Sequence, residues 1–582
     1  MQLAPEAVRQ PRKRLSVASG MREHSSVLVL GLAAALLLLL VGYPLAWLVL
    51  GAFGAPGDLG LTHFTNAYTR PGNLEPLTNT LILALGSGTL SVLFGVPLAW
   101  ATARSDMPLR RVIQALVALA YITPPYLTAL AYIILLGPNA GHINRLLAAL
   151  FGLGDGPINV FSMGGVIFVI ALHVFAFPYF LTYSALQAID APLEESAQML
   201  GGGRWTVARY ITLPLVAPAI TGGALLAAVE SMALFGPQAF LGLPAQIVYL
   251  PTRIYGLLGS YPPRWGDASA LALILVLFTV IGLFIQRGYL ERRSYITVSG
   301  RGVRTQRLPL GFWKWPLFAF CFVVVFFAAI APVGVLVAAA FSKSWIEPLT
   351  PGNLTLANFQ EALFDNQVAA RGIINSFRLA TAAAFIAVTV GLFIAYIDLR
   401  TKAFGRRFLD YLAILPLGLP GTVMAVGILL AFIRPPFQIY GTIWILVVAY
   451  VARFIPLSVR SANAALRQID PSLEEAARIT GASWGRTIRL ILLPMARPGL
   501  LAAWLLVFIP ALSELSATIL LYSSGTETIA VAIFRLRDLG QLEVVSALCV
   551  FTIVIILIVS LLVNLVVGRG GSPVARVEQT TN

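Results

Sequence analysis

The sequence predicts an all-α polytopic membrane protein of about twelve transmembrane helices, built as two tandem six-helix halves. Three observations predict it. Hydrophobic residues make up 58% of the 582 and charged residues only 11%, where a soluble domain carries about 25% charged. Apolar runs long enough to cross a bilayer recur twelve times along the chain. A polar segment in the first half returns, in register, in the second. The composition excludes a soluble core, collagen, disorder and a secreted disulfide scaffold. The other spanning form, a closed barrel, needs short alternating strands, and continuous runs such as GLAAALLLLLVG at 31–42 do not alternate.

The elements follow in order. Residues 1–25 form a polar basic arm, expected on the cytoplasmic side. The apolar run after it ends without a small-residue cleavage site, so it reads as a retained first span rather than a removed signal peptide. Spans are expected at 26–53, 78–103, 112–137, 161–186, 215–242 and 267–286, and again at 315–341, 372–398, 408–433, 439–461, 497–521 and 543–567. Each is helical, because a helix satisfies its own backbone hydrogen bonds in lipid. The halves are therefore 26–286 and 315–567, joined by a basic cytoplasmic linker at 287–314 and followed by a cytoplasmic tail at 568–582.

Net charge is +15. With the N-terminus inside, 29 basic residues fall on the cytoplasmic side and at most nine on the other. That asymmetry sets both termini in the cytoplasm and accounts for the charge without nucleic acid. The two cysteines, Cys321 and Cys549, sit in apolar runs and read as buried structural thiols. No Tyr, His or carboxylate cluster has metal-ligand spacing.

The internal repeat organises the chain. Residues 186–218 and 466–498 align at an offset of 280 without gaps, with 13 of 33 positions identical. Upstream, at an offset of 296, Asn79, Gly95, Ala99, Arg104, Arg110, Arg111 and Pro124 match Asn375, Gly391, Ala395, Arg400, Arg406, Arg407 and Pro420. Six spans per half is an even number, so both halves point the same way, related by a pseudo-twofold along the membrane normal.

The repeated segment lies between the fourth and fifth span of each half. Asp190 and Asp470 are candidate N-caps, and Glu194, Glu195, Glu474 and Glu475 follow in the first turn, where carboxylates favour the helix dipole. Gly201 and Gly481 supply a stop, and Pro214 and Pro494 mark entry into the next span. The local product is a short helix outside the bilayer, a bend, and a second helix leading back in.

This segment resembles the EAA loop of binding-protein-dependent ABC importer permeases: Glu-Ala-Ala, three residues, Gly, nine residues, then Ile-x-Leu-Pro. The second copy, at 467–494, carries Glu475-Ala476-Ala477, Gly481 and Ile491-Leu492-Leu493-Pro494. The first, at 187–214, carries Glu195-Ser196-Ala197, Gly201 and Ile211-Thr212-Leu213-Pro214, departing only at Ser196. The resemblance implies a coupling helix in each half that docks in a cleft of a separate ATPase subunit, with Glu194, Glu195, Ala197 and Gly201, and Glu474, Glu475, Ala477 and Gly481, as coupling residues. It implies two ATPase copies carrying ATP and Mg, no cofactor on this chain, and a separate periplasmic or lipid-anchored solute-binding protein. Lipid is the remaining partner. The chain has no ATP site of its own: a P-loop needs Gly-Lys-Ser/Thr, and Lys13, Lys314, Lys343 and Lys402 all follow residues other than glycine. A fused chain of this size resembles the ferric-iron permeases, which implies iron(III) as solute. Thiamine, aminoethylphosphonate and polyamine are the alternatives within the same importer type.

Ionisable residues at membrane depth are functional candidates by default. Glu230 and Glu514 lie within the fifth span of their halves. His173 and Arg453, 280 apart, occupy equivalent places on the fourth. One reading has the two glutamates lining the translocation path with His173 and Arg453 as basic partners. The other has them fixing helix packing by hydrogen bonds. An ion-gradient-driven secondary transporter would use the same glutamates for coupling, and would leave the repeated loops unexplained. Thr123-Pro124-Pro125 and Leu419-Pro420-Gly421 interrupt the third span of each half at matching points, as a solute-facing break or as a packing kink.

Overall fold

The computed structural model describes residues 31–54, 59–70, 72–152, 156–189, 191–292, 308–401 and 405–569. The basic arm, the central part of the linker, Asp190 and nearly all of the tail lie outside the described residues.

Nine helices of the first half recur as nine of the second. They are α1 (Gly31–Phe53), α2 (Leu74–Arg104), α3 (Arg110–Ile122), α4 (Pro125–Leu136), α5 (Met163–Gln187), α6 (Ala191–Met199), α7 (Trp205–Ala233), α8 (Leu250–Leu258) and α9 (Trp265–Gln286). Their counterparts are α10 (Gly311–Ala340), α11 (Gln367–Arg400), α12 (Arg406–Gly418), α13 (Gly421–Phe432), α14 (Ile443–Arg467), α15 (Pro471–Ile479), α16 (Trp484–Leu512), α17 (Ile529–Asp538) and α18 (Leu542–Val563). Among the described residues, ten of these are long and apolar enough to cross a bilayer, and two bent pairs bring the number to twelve.

The bent pairs are the third span of each half. The α3–α4 axis turns by 102° and the α12–α13 axis by 115°. Thr123 and Leu419, the residues before Pro124 and Pro420, are extended, because a following proline ring disfavours the α region. The break is thus far larger than a packing kink, at the matched prolines. The fifth spans also differ from expectation. They begin earlier, at Trp205 and Trp484, and end at Ala233 and Leu512. Residues 235–242 then form a short helix and a wide π turn, all of it buried.

Among the described residues, four spans contain a π turn, at Leu38–Gly42, Ala208–Thr212, Phe326–Ile330 and Ile488–Leu492. In each a proline stands two residues beyond the turn: Pro44, Pro214, Pro332 and Pro494. A proline has no N–H to donate and crowds the carbonyl four residues back. Widening the preceding turn to an i→i−5 bond relieves that crowding.

Small residues bring the helices together, as association in lipid requires. A Cβ at Gly95 of α2 would stand 2.5 Å from the Phe175 carbonyl of α5, and one at Gly391 of α11 would stand 2.5 Å from Ser458 Oγ of α14. The pair was visible in the repeat, and this crossing is its reason. Asn79 and Asn375 have a reason too. Asn79 donates to the Val248 carbonyl at 3.1 Å, and Asn375 to Gly525 and Glu527 carbonyls at 3.1 and 2.9 Å. Each satisfies backbone just ahead of α8 or α17, whose first N–H groups donate to Thr80 and Ser376 hydroxyls.

The halves embrace crosswise. α1 packs on α13 of the other half, and α10 on α4. A Cβ at Gly427 of α13 would lie 2.7 Å from the Pro44 carbonyl of α1. Tyr132 of α4 donates its hydroxyl to the Phe327 carbonyl of α10 at 2.7 Å.

Candidate functional site

The repeated loops fold as the local signals predict. Asp470 caps α15: its Oδ1 accepts the Ser472 N–H at 2.8 Å, which holds the carboxyl below the usual range. Asp190, the matching residue, lies outside the described residues. Each short helix ends on a left-handed glycine, Gly201 at φ +87° and Gly481 at φ +84°. Gly202 N–H returns to the Ala197 carbonyl at 2.9 Å, and Ala482 N–H to Ala477 at 3.0 Å. That closure is a Schellman motif. A Cβ at either glycine meets nothing within 4 Å, so substitution is opposed by backbone conformation alone. Gly481→Ala is expected to destabilise the motif by about 1–2 kcal/mol, read as faster amide exchange over 471–482 with the spans unaffected. Unchanged exchange would show that the positive φ is not required.

The four loop glutamates divide into two kinds. Glu194 and Glu474 turn inward. Glu194 meets Arg104 Nη1 at 3.2 Å and accepts the Thr212 hydroxyl at 2.8 Å. Glu474 pairs with Arg400 Nε at 2.9 Å and accepts the Tyr396 hydroxyl at 3.3 Å. Arg104 and Arg400 are the last residues of α2 and α11, and both are repeat-matched. Glu474 and Arg400 have side chains 4% and 11% exposed. Arg400 also donates to the Leu466 and Ile469 carbonyls, tying the end of α14 into the same clamp. Glu195 and Glu475 are exposed. Ala477 of α15 is buried and Ala197 of α6 half-buried.

The sequence reading put both glutamates of each loop on one functional footing and missed the arginines. A signal was present: an arginine repeated at offset 296 and a glutamate at offset 280 are opposite charges duplicated together. The third group differs between halves. Position 212 is Thr and its match is Leu492; Trp100 is matched by Tyr396. Each half keeps one hydroxyl on its carboxylate, delivered from a different helix.

The second cluster lies at the break of the ninth span. Arg453 Nε meets Glu514 Oε2 at 3.1 Å. Glu514 Oε1 also accepts the Ala517 N–H at 2.9 Å, just past the end of α16. Arg453 lies so close to the backbone break that a Cβ at Gly421 would collide with its guanidinium. A cavity of about 200 Å³ adjoins it, walled by Glu230, Arg453, Leu417, Pro420, Thr279 and Leu283. Glu230 from the first half thus faces Arg453 from the second, and among the described residues its carboxylate makes no ion pair. The second-half break and three of the membrane-depth charges, read separately from sequence, meet in one place.

His173 is different. It is buried and stacks on Tyr121, ring centroids 6.5 Å apart. Its Nδ1 has no hydrogen-bond partner, and among the described residues it pairs with no carboxylate. As a basic partner for a glutamate it is not placed as expected: burial against an aromatic ring leaves no anion beside it. Among the described residues no three His, Cys, Asp or Glu side chains cluster as a metal site would need. Cys321 and Cys549 are free and buried.

Two parallel six-span halves, each with a short helix clamped outside the span bundle and a broken span at its centre, define a two-half membrane permease. The profile of the family "Binding-protein-dependent transport system inner membrane component" matches residues 91–294 and 387–569, one match in each half. The chain belongs to that family. It is the permease subunit of an ABC importer, a multi-pass inner-membrane protein that is not itself catalytic, and no cofactor is expected on it. It is 29% identical over 498 residues to the ferric transport system permease protein FbpB of Actinobacillus pleuropneumoniae, covering 84% of this chain and 71% of the relative. It is 30% identical over 457 residues to a putative ferric transport system permease protein of Haemophilus influenzae, covering 77% and 70%. A putative 2-aminoethylphosphonate transport system permease protein of Salmonella paratyphi A is 28% identical over 253 residues, 43% of this chain and 92% of the relative.

Proposed function

We propose that this chain forms the translocation path for iron(III), delivered by a periplasmic or lipid-anchored binding protein and driven by two ATPase subunits at the clamped loops. The observation that carries the solute is the likeness to ferric permeases across both halves, over 84% of the chain. The phosphonate relative covers 43% of it. The cavity supports a cationic solute. Glu230 and Glu514 bring two carboxylates to one guanidinium, an excess of negative charge where a cation would cross. Glu230, Glu514 and Arg453 are the path residues in this reading, and His173 stands behind Tyr121 at the equivalent point of the first half. Thiamine and polyamines are cations that the same charge would pass. The experiment is ATPase stimulation in vesicles holding this chain, its ATPase and its binding protein. Stimulation by the iron(III)-loaded binding protein supports the assignment; stimulation by thiamine, polyamine or aminoethylphosphonate instead, with none by iron, overturns it.

The loops face the cytoplasm in this reading, as do both termini, which the concentration of arginine at that end favours. α6 and α15 are the levers. A short helix transmits rigid-body motion of a bound ATPase dimer, and the inward clamps keep each lever fixed to its half. The exposed Glu195 and Glu475 are the groups left to meet a basic surface. Replacing both with alanine is expected to lower ATPase co-purification on the order of fivefold, as exposed ion pairs contribute about 0.2–1 kcal/mol each. A chain that transports with no nucleotide-hydrolysing partner would return the ion-gradient reading.

A further inference from the structure

Two apolar crevices open at equivalent places in the halves. In the second half one of about 730 Å³ lies between α11 and α16, walled by Leu392, Tyr396, Leu466, Ile488, Leu493 and Arg497. In the first, one of about 510 Å³ lies between α2 and α7, walled by Val96, Trp100, Leu186, Ala208, Leu213 and Arg209. Apart from the arginines these residues match one to one, at offsets of 296 on the first helix and 280 on the rest. The same site is therefore built twice, at a volume within the roughly 300–1,000 Å³ of small-molecule sites.

We infer that each crevice binds an anionic phospholipid, an acyl chain lying in the groove and the phosphate on Arg497 or Arg209. The shape fits a chain. From Phe385 to Tyr396 the groove follows α11 for about 16 Å at 1.5 Å per residue. The wall is apolar and open: Phe385 is 67% exposed and Leu501 46%, and at this depth only hydrocarbon covers such a face. The arginines supply the charge. Arg497 stands at the loop-bearing end of the groove and is exposed. Among the described residues it makes no ion pair. Arg209 lies at the same end of the other groove, with its guanidinium 5.9 Å from the Tyr210 ring. Trp100 and Trp205 line the first groove and Tyr396 the second, residue types that favour headgroup level.

The site touches the coupling machinery. Ile488 and Leu492 belong to the π turn, and Leu466 lies in the last turn of α14, five residues before α15 begins at Pro471. A bound chain braces the wide turn against α11 and stiffens the route from lever to span. Occupancy then favours whichever arrangement keeps the groove formed.

The full chain is reconstituted in nanodiscs of phosphatidylcholine containing phosphatidylglycerol, then stripped with mild detergent. Retained lipid is counted by native mass spectrometry. Phosphatidylglycerol is expected to be held in preference to phosphatidylcholine. Arg209→Gln and Arg497→Gln should each lower that preference about fivefold, the effect of one basic residue at an anionic headgroup. Leu392→Trp fills the second groove and should remove one retained lipid, leaving the Arg209 site loaded. Equal retention of the two lipids by the unmodified chain overturns the proposal, whatever the variants do. So does an undiminished preference in the double arginine variant.

Discussion

Arg400→Met is expected to abolish solute-stimulated ATP hydrolysis, although Arg400 touches neither solute nor nucleotide. The substitution leaves the Glu474 carboxylate buried with its cation gone, a change that costs about 3–5 kcal/mol in a buried pair. The carboxylate escapes by turning outward, and α15 lifts the face that buries Ala477. The lever would then move without moving its half. The companion variant Arg400→Met/Glu474→Leu removes both charges and should recover most of the loss, since an apolar replacement of a buried pair is often neutral. Assembly with the ATPase and stimulated hydrolysis would be measured together. Full coupling in Arg400→Met, or a double variant no better than the single, would show that the clamp holds nothing that matters. Arg104→Met should do less, because Glu194 is more exposed, at 13% against 4%, and retains the Thr212 hydroxyl.

Glu230→Gln and Arg453→Leu should part company in the membrane interior. Among the described residues Glu230 faces the cavity without an ion pair, so its neutralisation strands no partner charge and should cost far less stability than breaking a buried pair. Under the proposed iron(III) reading, import should nevertheless fall tenfold or more, since a unit charge about 4 Å from a cation contributes up to ~4 kcal/mol at an effective dielectric of about 20. Arg453→Leu strands Glu514, buried against the turn after α16, and should lower thermal stability by about 3–5 kcal/mol as well as transport. Unchanged import by Glu230→Gln, with the protein folded, would return the glutamate to a packing role.

How legible this was depended on the kind of signal. The duplicated loops, their helix and its glycine stop were readable because each rests on local chemistry: a capping aspartate, acidic residues in a first turn, a left-handed end. The side each glutamate takes was not, since Glu474 and Glu475 are adjacent and differ only in which way the helix rolls against Arg400. The breaks at Pro124 and Pro420 were placed correctly, but a proline forbids one conformation and does not choose the next, so the angles came only with the structure. The π turns had a sequence cue, a proline two residues past each, but the cue marks a disturbed helix without saying whether it widens or kinks. His173 misled because repeat equivalence with Arg453 was taken for equivalence of charge. The burial that makes a good ion pair around an arginine leaves an imidazole stacked on Tyr121.

The crosswise embrace has a consequence for synthesis. α1 emerges first yet packs on α13, which begins at Gly421, nearly 370 residues later. At roughly 5–20 residues per second, that is about 20–70 s during which the first span waits in lipid for its partner. The first half cannot complete its own packing while it is alone. Carrying both halves on one chain removes the search: the late helix arrives tethered, in the right bilayer and the right orientation, where two separate subunits would have to find each other by diffusion.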